Sequence, residues 1–295
     1  MKTVLFKILR FSGLPFLLRE LIQRRRVTIL LFHDISQETA QRTFDCLSKR
    51  YHLLDLQTFI RTCKNGHTRL PPKSLILTFD DGYIKNHDLL PVLRERRIPV
   101  TIFLCAGLID TKRHFWFKHK PSNYHCSQLR KMPSVERRRF LAAAGFTPEA
   151  EYDEPHALTR SQIEEMKPWV DFQSHTLFHP CLPRCRSSEA WHEIARPRDV
   201  LRQKCGLHVN AISYPHGDYS ERDIELCRRA GYECGMTVDF GFNTVNSDLW
   251  RLKRLPVNDT DDMNELIVKA SGLWEFFKTV LGWNREFGWT DEVEP

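Results

Sequence analysis

The sequence, 295 residues long, predicts an α/β fold in which parallel strands form a barrel. Short apolar segments alternate with segments of helical periodicity, which is the pattern of repeated strand, helix, strand units. Polar residues follow several of the apolar segments directly, as Asp80, Asp81 and Gly82 follow the run that ends at Phe79. Because the parallel strands of a barrel end on one rim, we expect these polar residues to meet there in one active site.

Seven apolar or β-branched segments are predicted as buried strands, at residues 27–32, 74–79, 100–104, 170–173, 211–214, 234–238 and 251–257. Helical periodicity lies between them at residues 39–52, 56–63, 86–97, 159–166, 188–204 and 222–230. Residues 107–158 break this alternation, and we interpret this aromatic-rich stretch as a loop insertion that shapes a binding face. The barrel is therefore assigned to residues 27–260, and residues 261–295 to a helical C-terminal tail with one helix over 266–281.

The composition is that of an ordinary globular protein with a mildly basic balance. The 44 Lys and Arg residues against 37 Asp and Glu residues give a formal net charge of +7. Nucleic-acid binding is not predicted, because arginines cluster only at residues 24–26 and 137–139 and no recognition motif accompanies them. The nine cysteines are scattered without a Cys-x-x-Cys pair, which predicts a reducing, cytoplasmic setting without a disulfide framework.

Residues 1–26 form a basic amphipathic N-terminal segment. Apolar residues recur at helical spacing on both sides of a break at Gly13 and Pro15, whereas Lys7 and Arg10 interrupt the apolar run that a secretory signal would need. Two interpretations stay open: a helix packed on its own domain, or peripheral contact with an anionic membrane surface at the inner face.

Two adjacent carboxylates at the end of a buried strand require a nearby cation, because they repel each other at close range. Asp80 and Asp81 either belong to a solvated Asp-Gly turn or, with Gly82 turning the backbone sharply, point into one space. His175 and His179 follow another strand on the same rim, and one helical turn would bring both imidazoles to the same side. Two histidines and one carboxylate with an open position form a common hydrolytic zinc site.

Three motifs together resemble those of the polysaccharide deacetylase family, the NodB-homology domain of carbohydrate esterase family 4-like enzymes. They read Thr-Phe-Asp-Asp-Gly-Tyr at 78–83, Ser-His-Thr-x-x-His-Pro at 174–180 and Tyr-Pro-x-Gly at 214–217. The resemblance extends from about residue 27 to residue 257 and implies a distorted (β/α)7 barrel.

The resemblance also implies roles for individual residues. Asp81, His175 and His179 would hold the metal, and Asp80 would be the general base. The metal would polarise an acetamide carbonyl and lower the pKa of the attacking water. Tyr83 of the first motif and Tyr214 and Pro215 of the third motif would bind the substrate and the oxyanion. The oxyanion would be bound through a backbone N–H near Tyr214.

The sequence departs from the family in one catalytic respect. Many members supply a proton donor from a late Leu-x-Leu-x-His motif, but no histidine follows His216 here, and residues 251–257 read Arg-Leu-Lys-Arg-Leu-Pro-Val. The third motif also lacks the arginine that many members place before its proline. We therefore expect His33 or His216 to be the acid, or Asp80 to return the proton, and Arg254 to pair with Asp80.

The predicted function is a metal-dependent N-deacetylase that acts on an N-acetylated sugar in a polysaccharide or a lipid-linked glycan precursor. Zn²⁺ is the expected metal, and Co²⁺, Ni²⁺ or Mn²⁺ would also suit the ligands. Two alternatives remain: a small non-sugar amide hydrolase on the same barrel, and a catalytically idle glycan-binding or membrane-associated scaffold. Aromatic residues at 115–124 favour a sugar substrate, because aromatic rings stack on pyranose faces.

Overall fold

The structure is a computed structural model that describes residues 2–66, 69–121 and 124–280. Its core is a sheet of parallel strands. The strands are β1 (Val27–Phe32), β2 (His52–Leu53), β3 (Ser74–Phe79), β4 (Val100–Leu104), β5 (Val170–Ser174), β6 (Ala211–Ser213), β7 (Cys234–Met236) and β8 (Leu255–Pro256). Their order is β7-β6-β5-β4-β3-β1-β8, and β2 pairs with β3 beside this path.

The curled sheet is joined across its two ends by the chain that leads into β8. Leu252 donates its N–H to the Gly235 carbonyl at 3.0 Å, and its own carbonyl accepts from Thr237 N–H at 2.9 Å. This contact connects β7 to the β8 side, while β8 itself pairs with β1. The result is a distorted parallel α/β barrel, as the sequence predicts.

Twelve α-helices lie in the described residues. They are α1 (Lys2–Phe11), α2 (Leu14–Leu17), α3 (Gln37–Ser48), α4 (Leu56–Lys64), α5 (Leu90–Arg96), α6 (Cys126–Lys131), α7 (Ser134–Ala143), α8 (Arg160–Met166), α9 (Ser187–Cys205), α10 (Glu221–Arg229), α11 (Met263–Ala270) and α12 (Leu273–Val280). In the described ranges, no helix combines the length and the apolar character that a bilayer-spanning segment needs.

Side chains of the central strands alternate between two apolar layers. Leu30 and Phe32 of β1 belong to the layer beneath the helices, and Phe32 stacks on Phe79 with ring centroids 5.1 Å apart. Ile29 and Ile76 belong to a second layer inside the barrel. Since successive residues of a strand face opposite sides, the same alternation directs residues 76, 78 and 80 inwards.

Several predicted elements differ from the structure. The helix predicted over 86–97 is α-helical only from Leu90, because a 3-10 turn over Ile84–Leu89 precedes α5. The helix predicted over 39–52 ends at Ser48, and residues 52–53 instead form β2, so there are eight strands rather than seven among the described residues. The single tail helix predicted over 266–281 is two helices, because Gly272 adopts a left-handed φ of 78° between them. The strand predicted over 251–257 is reduced to Leu255–Pro256 after a 3-10 turn. Residues 281–295 of the predicted tail lie outside the described residues.

The insertion predicted at 107–158 carries α6, α7 and a 3-10 turn at Trp116–His119. It returns to the barrel at residue 157, where Ala157 forms an antiparallel bridge with Tyr83. Leu158 N–H then bonds to the Gly82 carbonyl at 3.0 Å. The insertion is therefore anchored directly to the turn that carries the paired aspartates.

Candidate active site

The two aspartates occupy a strained turn at the end of β3. Asp80 continues the strand, since its N–H bonds to the Phe32 carbonyl at 3.0 Å. Asp81 and Gly82 then adopt left-handed φ angles of 73° and 69°, which are uncommon for a residue with a side chain. Both aspartates are buried, at 4 % and 3 % exposure. The turn therefore holds two neighbouring carboxylates inside the barrel mouth and excludes the solvated-turn alternative.

The two histidines lie in a loop after β5 and not on a helix, so the predicted helical turn is wrong. Thr176 and His179 adopt left-handed φ angles of 68° and 57°, which fold the loop back on itself. Glu193 of α9 stabilises this loop conformation. Its Oε2 accepts hydrogen bonds from the backbone N–H groups of residues 177 and 178, at 3.0 Å and 2.9 Å. The left-handed residues and the buried glutamate, not helical periodicity, bring the imidazoles together.

Asp81, His175 and His179 converge on one point. Asp81 Oδ1 lies 3.4 Å from His175 Nε2 and 3.3 Å from His179 Nε2, and all three side chains are buried. The three candidate ligand atoms lie within 4.8 Å of one another. Within the described residues, this is the cluster of such side chains that could hold a metal ion.

The protonation states of these groups suit a cation. His175 Nδ1 contacts the Ser213 carbonyl at 2.8 Å, which assigns the proton to Nδ1 and leaves the Nε2 lone pair towards Asp81. Burial lowers the pKa of His179 to about 3, so this imidazole is neutral at physiological pH. Burial works against ionisation of Asp81, but His179 and His175 beside it hold the pKa of this carboxyl well below its usual range.

A buried polar atom without a partner supports the same interpretation. Asp81 Oδ1, the atom on which both imidazoles converge, forms no hydrogen bond with any described residue. An ionised oxygen in this condition costs free energy unless a cation compensates it. The donor set of two imidazoles and one carboxylate therefore fits a divalent metal such as Zn²⁺.

Asp80 forms an ion pair with the guanidinium group of Arg254. Arg254 is fully buried and donates from Nη1 to Asp80 Oδ1 at 2.8 Å and from Nη2 to Oδ2 at 2.7 Å. Ser213 Oγ also donates to Asp80 Oδ2, at 2.9 Å. Burial raises the pKa of Asp80, but the guanidinium and His175 outweigh it and bring the pKa below its ordinary value of 3.8. Asp80 is therefore an ionised carboxylate with fixed orientation beside the candidate metal ligands.

His33 is held by Asp259, which follows β8, the strand that pairs with β1. Asp259 accepts the His33 backbone N–H at 2.8 Å, and its Oδ2 lies 3.5 Å from His33 Nδ1. Burial works to lower the pKa of His33, but the hydrogen bond to Asp259 and the nearby carboxylates raise it to about 9. His33 thus carries a proton at neutral pH.

His216 has the opposite electrostatic character. Its ring lies perpendicular to that of His179, with centroids 4.5 Å apart, and Nε2 has no hydrogen-bond partner among the described residues. Burial and the neighbouring His179 lower the pKa of His216 well below 6.5. His216, which follows the buried Pro215, is therefore a neutral imidazole at the edge of the candidate metal-ligand cluster.

The predicted substrate-binding tyrosines lie in different surroundings. Tyr214 is fully buried: its hydroxyl donates to the Trp250 carbonyl at 3.1 Å, and its N–H bonds to the Met236 carbonyl at 3.0 Å. Both donors of Tyr214 are thus engaged within the protein, and the oxyanion donor remains a prediction for the loop that follows it. Tyr83 is partly exposed and packs against Phe115 at 5.0 Å.

Aromatic residues of the insertion form one wall of the site. The Phe117 ring lies 5.0 Å from that of His179, and the Trp116 ring lies 5.7 Å from that of His216. Trp116 Nε1 also donates to the backbone carbonyl of His179 at 2.8 Å. The insertion therefore contacts the loop that carries the two candidate histidine ligands directly.

Sequence reasoning missed four residues that position the site: Ser213, Glu193, Asp259 and Trp116. Three of them act through contacts between segments far apart in the chain, such as the 133 residues that separate Ser213 from Asp80, whereas Glu193 contacts backbone groups 15 and 16 residues earlier. One local signal was available. Ser213 lies near the end of the strand predicted over 211–214, and the barrel topology places that end on the same rim as the aspartates.

Comparison with known proteins places the fold and the motifs in context. The family model described as "Polysaccharide deacetylase" matches residues 67–235, more than half of the chain. YxkH of Bacillus subtilis (strain 168), whose name assigns it to the polysaccharide deacetylases, is 24% identical over 245 residues, which are 79% of this chain and 72% of that protein. The poly-β-1,6-N-acetyl-D-glucosamine N-deacetylase of Staphylococcus epidermidis is 24% identical over 236 residues, 76% of this chain and 66% of that protein.

A solved structure confirms the predicted barrel. IcaB from Ammonifex degensii superimposes with a TM-score of 0.62 at 19% identity, and the match covers 84% of this chain and 98% of that one. At this level of identity the similarity concerns the fold alone.

Proposed function

The chain belongs to the polysaccharide deacetylase family, and on that premise we propose that it removes N-acetyl groups from an N-acetylated sugar in a polysaccharide or glycan precursor. The observation that carries this proposal is the buried group of Asp81, His175 and His179 beside an ionised Asp80. Buried charges of this kind are costly unless they are compensated, so a catalytic use accounts for their presence better than an idle scaffold does.

Asp81, His175 and His179 would hold the metal through one carboxylate oxygen and two Nε2 atoms. When bound, a divalent cation supplies Lewis acidity, which polarises the amide carbonyl and lowers the pKa of water. Ser213 fixes the tautomer of His175 through its carbonyl. Glu193 and Trp116 hold the backbone of the loop that presents His179.

Asp80 would act as the general base. Its low pKa keeps it ionised over the physiological range, so it can accept the proton of the attacking water. The bidentate contact with Arg254 prevents rotation of the carboxylate, and Ser213 occupies a further position on Oδ2. Asp80 Oδ2 lies 3.9 Å from His175 Nε2, a distance that supports a base acting beside the proposed metal ligands.

His33 would be the proton donor to the departing amine. It carries a proton at neutral pH, and Asp259 orients both its backbone and its ring. His216 is neutral under the same conditions, so it suits a hydrogen-bonding role better than that of an acid. This assignment replaces the late histidine that the sequence lacks.

An N-acetylated hexosamine is the substrate class that the wall of the site favours. Phe117, Trp116 and Tyr83 lie around the metal ligands, and aromatic faces pack against the apolar face of a pyranose. The N-deacetylase of Staphylococcus epidermidis acts, by its name, on poly-β-1,6-N-acetyl-D-glucosamine. We extend that chemistry to this chain, with a glycan precursor in the cytoplasm as the expected context.

Acetate release from matched substrates tests this proposal. The native protein, loaded with Zn²⁺, is incubated with β-1,6-linked and β-1,4-linked N-acetylglucosamine oligomers and with small N-acetylated amides that contain no sugar. We expect acetate from at least one oligomer and none from the small amides. Comparable hydrolysis of the small amides would instead support the non-sugar amidase, and release from none of them would contradict the proposed activity.

Two single variants test the proton donor. His33→Gln is expected to lower kcat by about a hundredfold or more, the usual contribution of a general acid, whereas His216→Gln should retain most of the turnover. Full turnover of His33→Gln would reject the assignment. A collapse of His216→Gln alone would transfer the role to His216.

A further inference from the structure

The N-terminal segment packs on α11 and α12 through one of its faces. Phe6 of α1 is fully buried and lies 4.8 Å from the Trp274 ring, in a cluster with Val268 and Leu273. Arg10 Nη1 donates to Asn264 Oδ1 at 3.0 Å. The first of the two sequence interpretations is therefore realised on this face, and the opposite face remains to be explained.

That opposite face exposes a stripe of large apolar side chains. Val4, Leu5, Ile8 and Phe11 recur at the spacing of one helix face, with exposures of 61%, 39%, 63% and 70%. The stripe continues through α2 and the turns up to residue 22. Among the described residues, nine of the twelve exposed large hydrophobic side chains lie in residues 4–22, and two more lie on α12. Such concentration on one surface marks a docking site.

The same segment holds almost all of the net charge of the chain. Residues 1–26 contain seven Lys or Arg residues and one acidic residue, a balance of +6 out of a total of +7. The acidic residue, Glu20, is bonded to Arg19 and Lys73. The arginines at 24–26 are all exposed. A partner for this face must therefore accept apolar side chains into its own apolar interior and carry negative charge on its surface.

A cleft at the edge of the face combines both properties. Its volume is about 160 Å³, and three guanidinium groups and three aromatic rings contribute to its lining: Arg10, Arg19, Arg50, Phe11, Phe16 and Tyr51. The guanidinium carbons of Arg10 and Arg19 lie 5.1 Å and 5.2 Å from the rings of Phe11 and Phe16. Cations beside apolar rings match a phosphate joined to acyl chains.

We propose that this face, residues 4–26 with the exposed side of α12, binds the surface of an anionic phospholipid bilayer and takes a lipid phosphate into the arginine cleft. A second copy of the chain fits less well, because a two-fold contact would bring two segments of charge +6 together. The proposal goes beyond the deacetylase activity and does not depend on it.

Co-sedimentation with vesicles tests the proposal on the full chain. Vesicles of phosphatidylcholine alone are compared with vesicles of equal parts phosphatidylcholine and phosphatidylglycerol. We expect binding to the anionic vesicles alone. Replacing the arginines at 24–26 with Ser should weaken that binding about a hundredfold, and the double variant Ile8→Glu, Phe11→Glu should abolish it. Both variants should still release acetate from soluble oligomers, because their side chains are exposed and outside the active site.

Matched controls separate this face from general charge and hydrophobicity. Replacing Arg61, Arg94 and Arg139 with Ser removes the same charge from exposed sites elsewhere, and Trp191→Glu alters an exposed apolar residue on α9. Both controls should bind like the native protein. Absence of binding to anionic vesicles, or equal losses in the controls, would overturn the proposal. A dimer that the Ile8→Glu, Phe11→Glu variant converts to a monomer would assign the face to a second copy and also overturn it.

Discussion

Arg254→Met breaks the ion pair of Asp80 and should destabilise the protein strongly. The guanidinium is fully buried and forms two bonds to Asp80, one to Ser213 Oγ at 2.8 Å and one to the Thr237 carbonyl at 2.9 Å. Removing one partner of a buried pair leaves the other charge uncompensated, which costs about 3–5 kcal/mol of the free energy of unfolding.

Urea unfolding of the metal-free protein measures this cost without the stabilisation that a bound metal would add. The double variant Asp80→Leu, Arg254→Met removes both charges and should regain much of the loss. Arg202→Met serves as the matched control, because Arg202 pairs with Asp199 at 3.1 Å on the surface with 71% of its side chain exposed. It should show no measurable change.

The pH dependence of the same variants follows from the lowered pKa of Asp80. A carboxyl whose pKa falls on folding adds stability above its unfolded pKa, and this stability is lost as the pH falls through the folded value. The native protein should therefore lose stability below about pH 4 more steeply than the double variant. A loss under about 1 kcal/mol in Arg254→Met, or strict additivity in the double variant, would refute the reasoning.

Three further changes test the positioning of the metal ligands. Glu193→Gln keeps an acceptor for the two loop N–H groups but removes a carboxyl whose pKa burial raises from 4.5 to about 7. Chemical unfolding should therefore show the native protein, but not this variant, losing about 3 kcal/mol of stability as the pH rises from 5 to 8. Gly107→Ala should weaken Zn²⁺ binding at least tenfold in a competition titration, because its Cβ would lie 2.8 Å from the Leu177 carbonyl oxygen; unchanged affinity would show that the loop yields freely. Trp116→Phe removes the donor to the His179 carbonyl and should weaken Zn²⁺ binding several-fold in the same titration, whereas unchanged affinity would exclude a positioning role.

The sequence was sufficient for most of the strands and for the charged pair of Asp80 and Arg254. Apolar runs such as Val27–Phe32 and Ser74–Phe79 are buried on both faces, so their composition alone predicts parallel strands. The need of Asp80 for a positive partner follows from burial and repulsion, and Arg254 supplies that partner across 174 residues. Both inferences depend on properties of single segments together with one rule of barrel topology.

The backbone conformations that bring the site residues together depend on tertiary contacts, which a sequence pattern does not predict. The spacing of His175 and His179 predicted a helical turn, but Thr176 and His179 adopt left-handed backbone angles that the buried Glu193 supports. Asp259 also has a left-handed φ, of 49°, and reaches His33 from 226 residues away. Tertiary hydrogen bonds decide these conformations, and local propensity does not predict them.

The metal content of the purified protein, measured together with acetate release, tests the central claim most directly. The native chain, Asp80→Asn and Asp81→Asn are each dialysed against Zn²⁺ and assayed on the same N-acetylglucosamine oligomer. We predict about one Zn²⁺ per chain in the native protein and in Asp80→Asn, acetate release from the native protein alone, and little Zn²⁺ in Asp81→Asn. Equal Zn²⁺ in Asp81→Asn, or undiminished acetate release from Asp80→Asn, would contradict the assigned metal ligand or the assigned base.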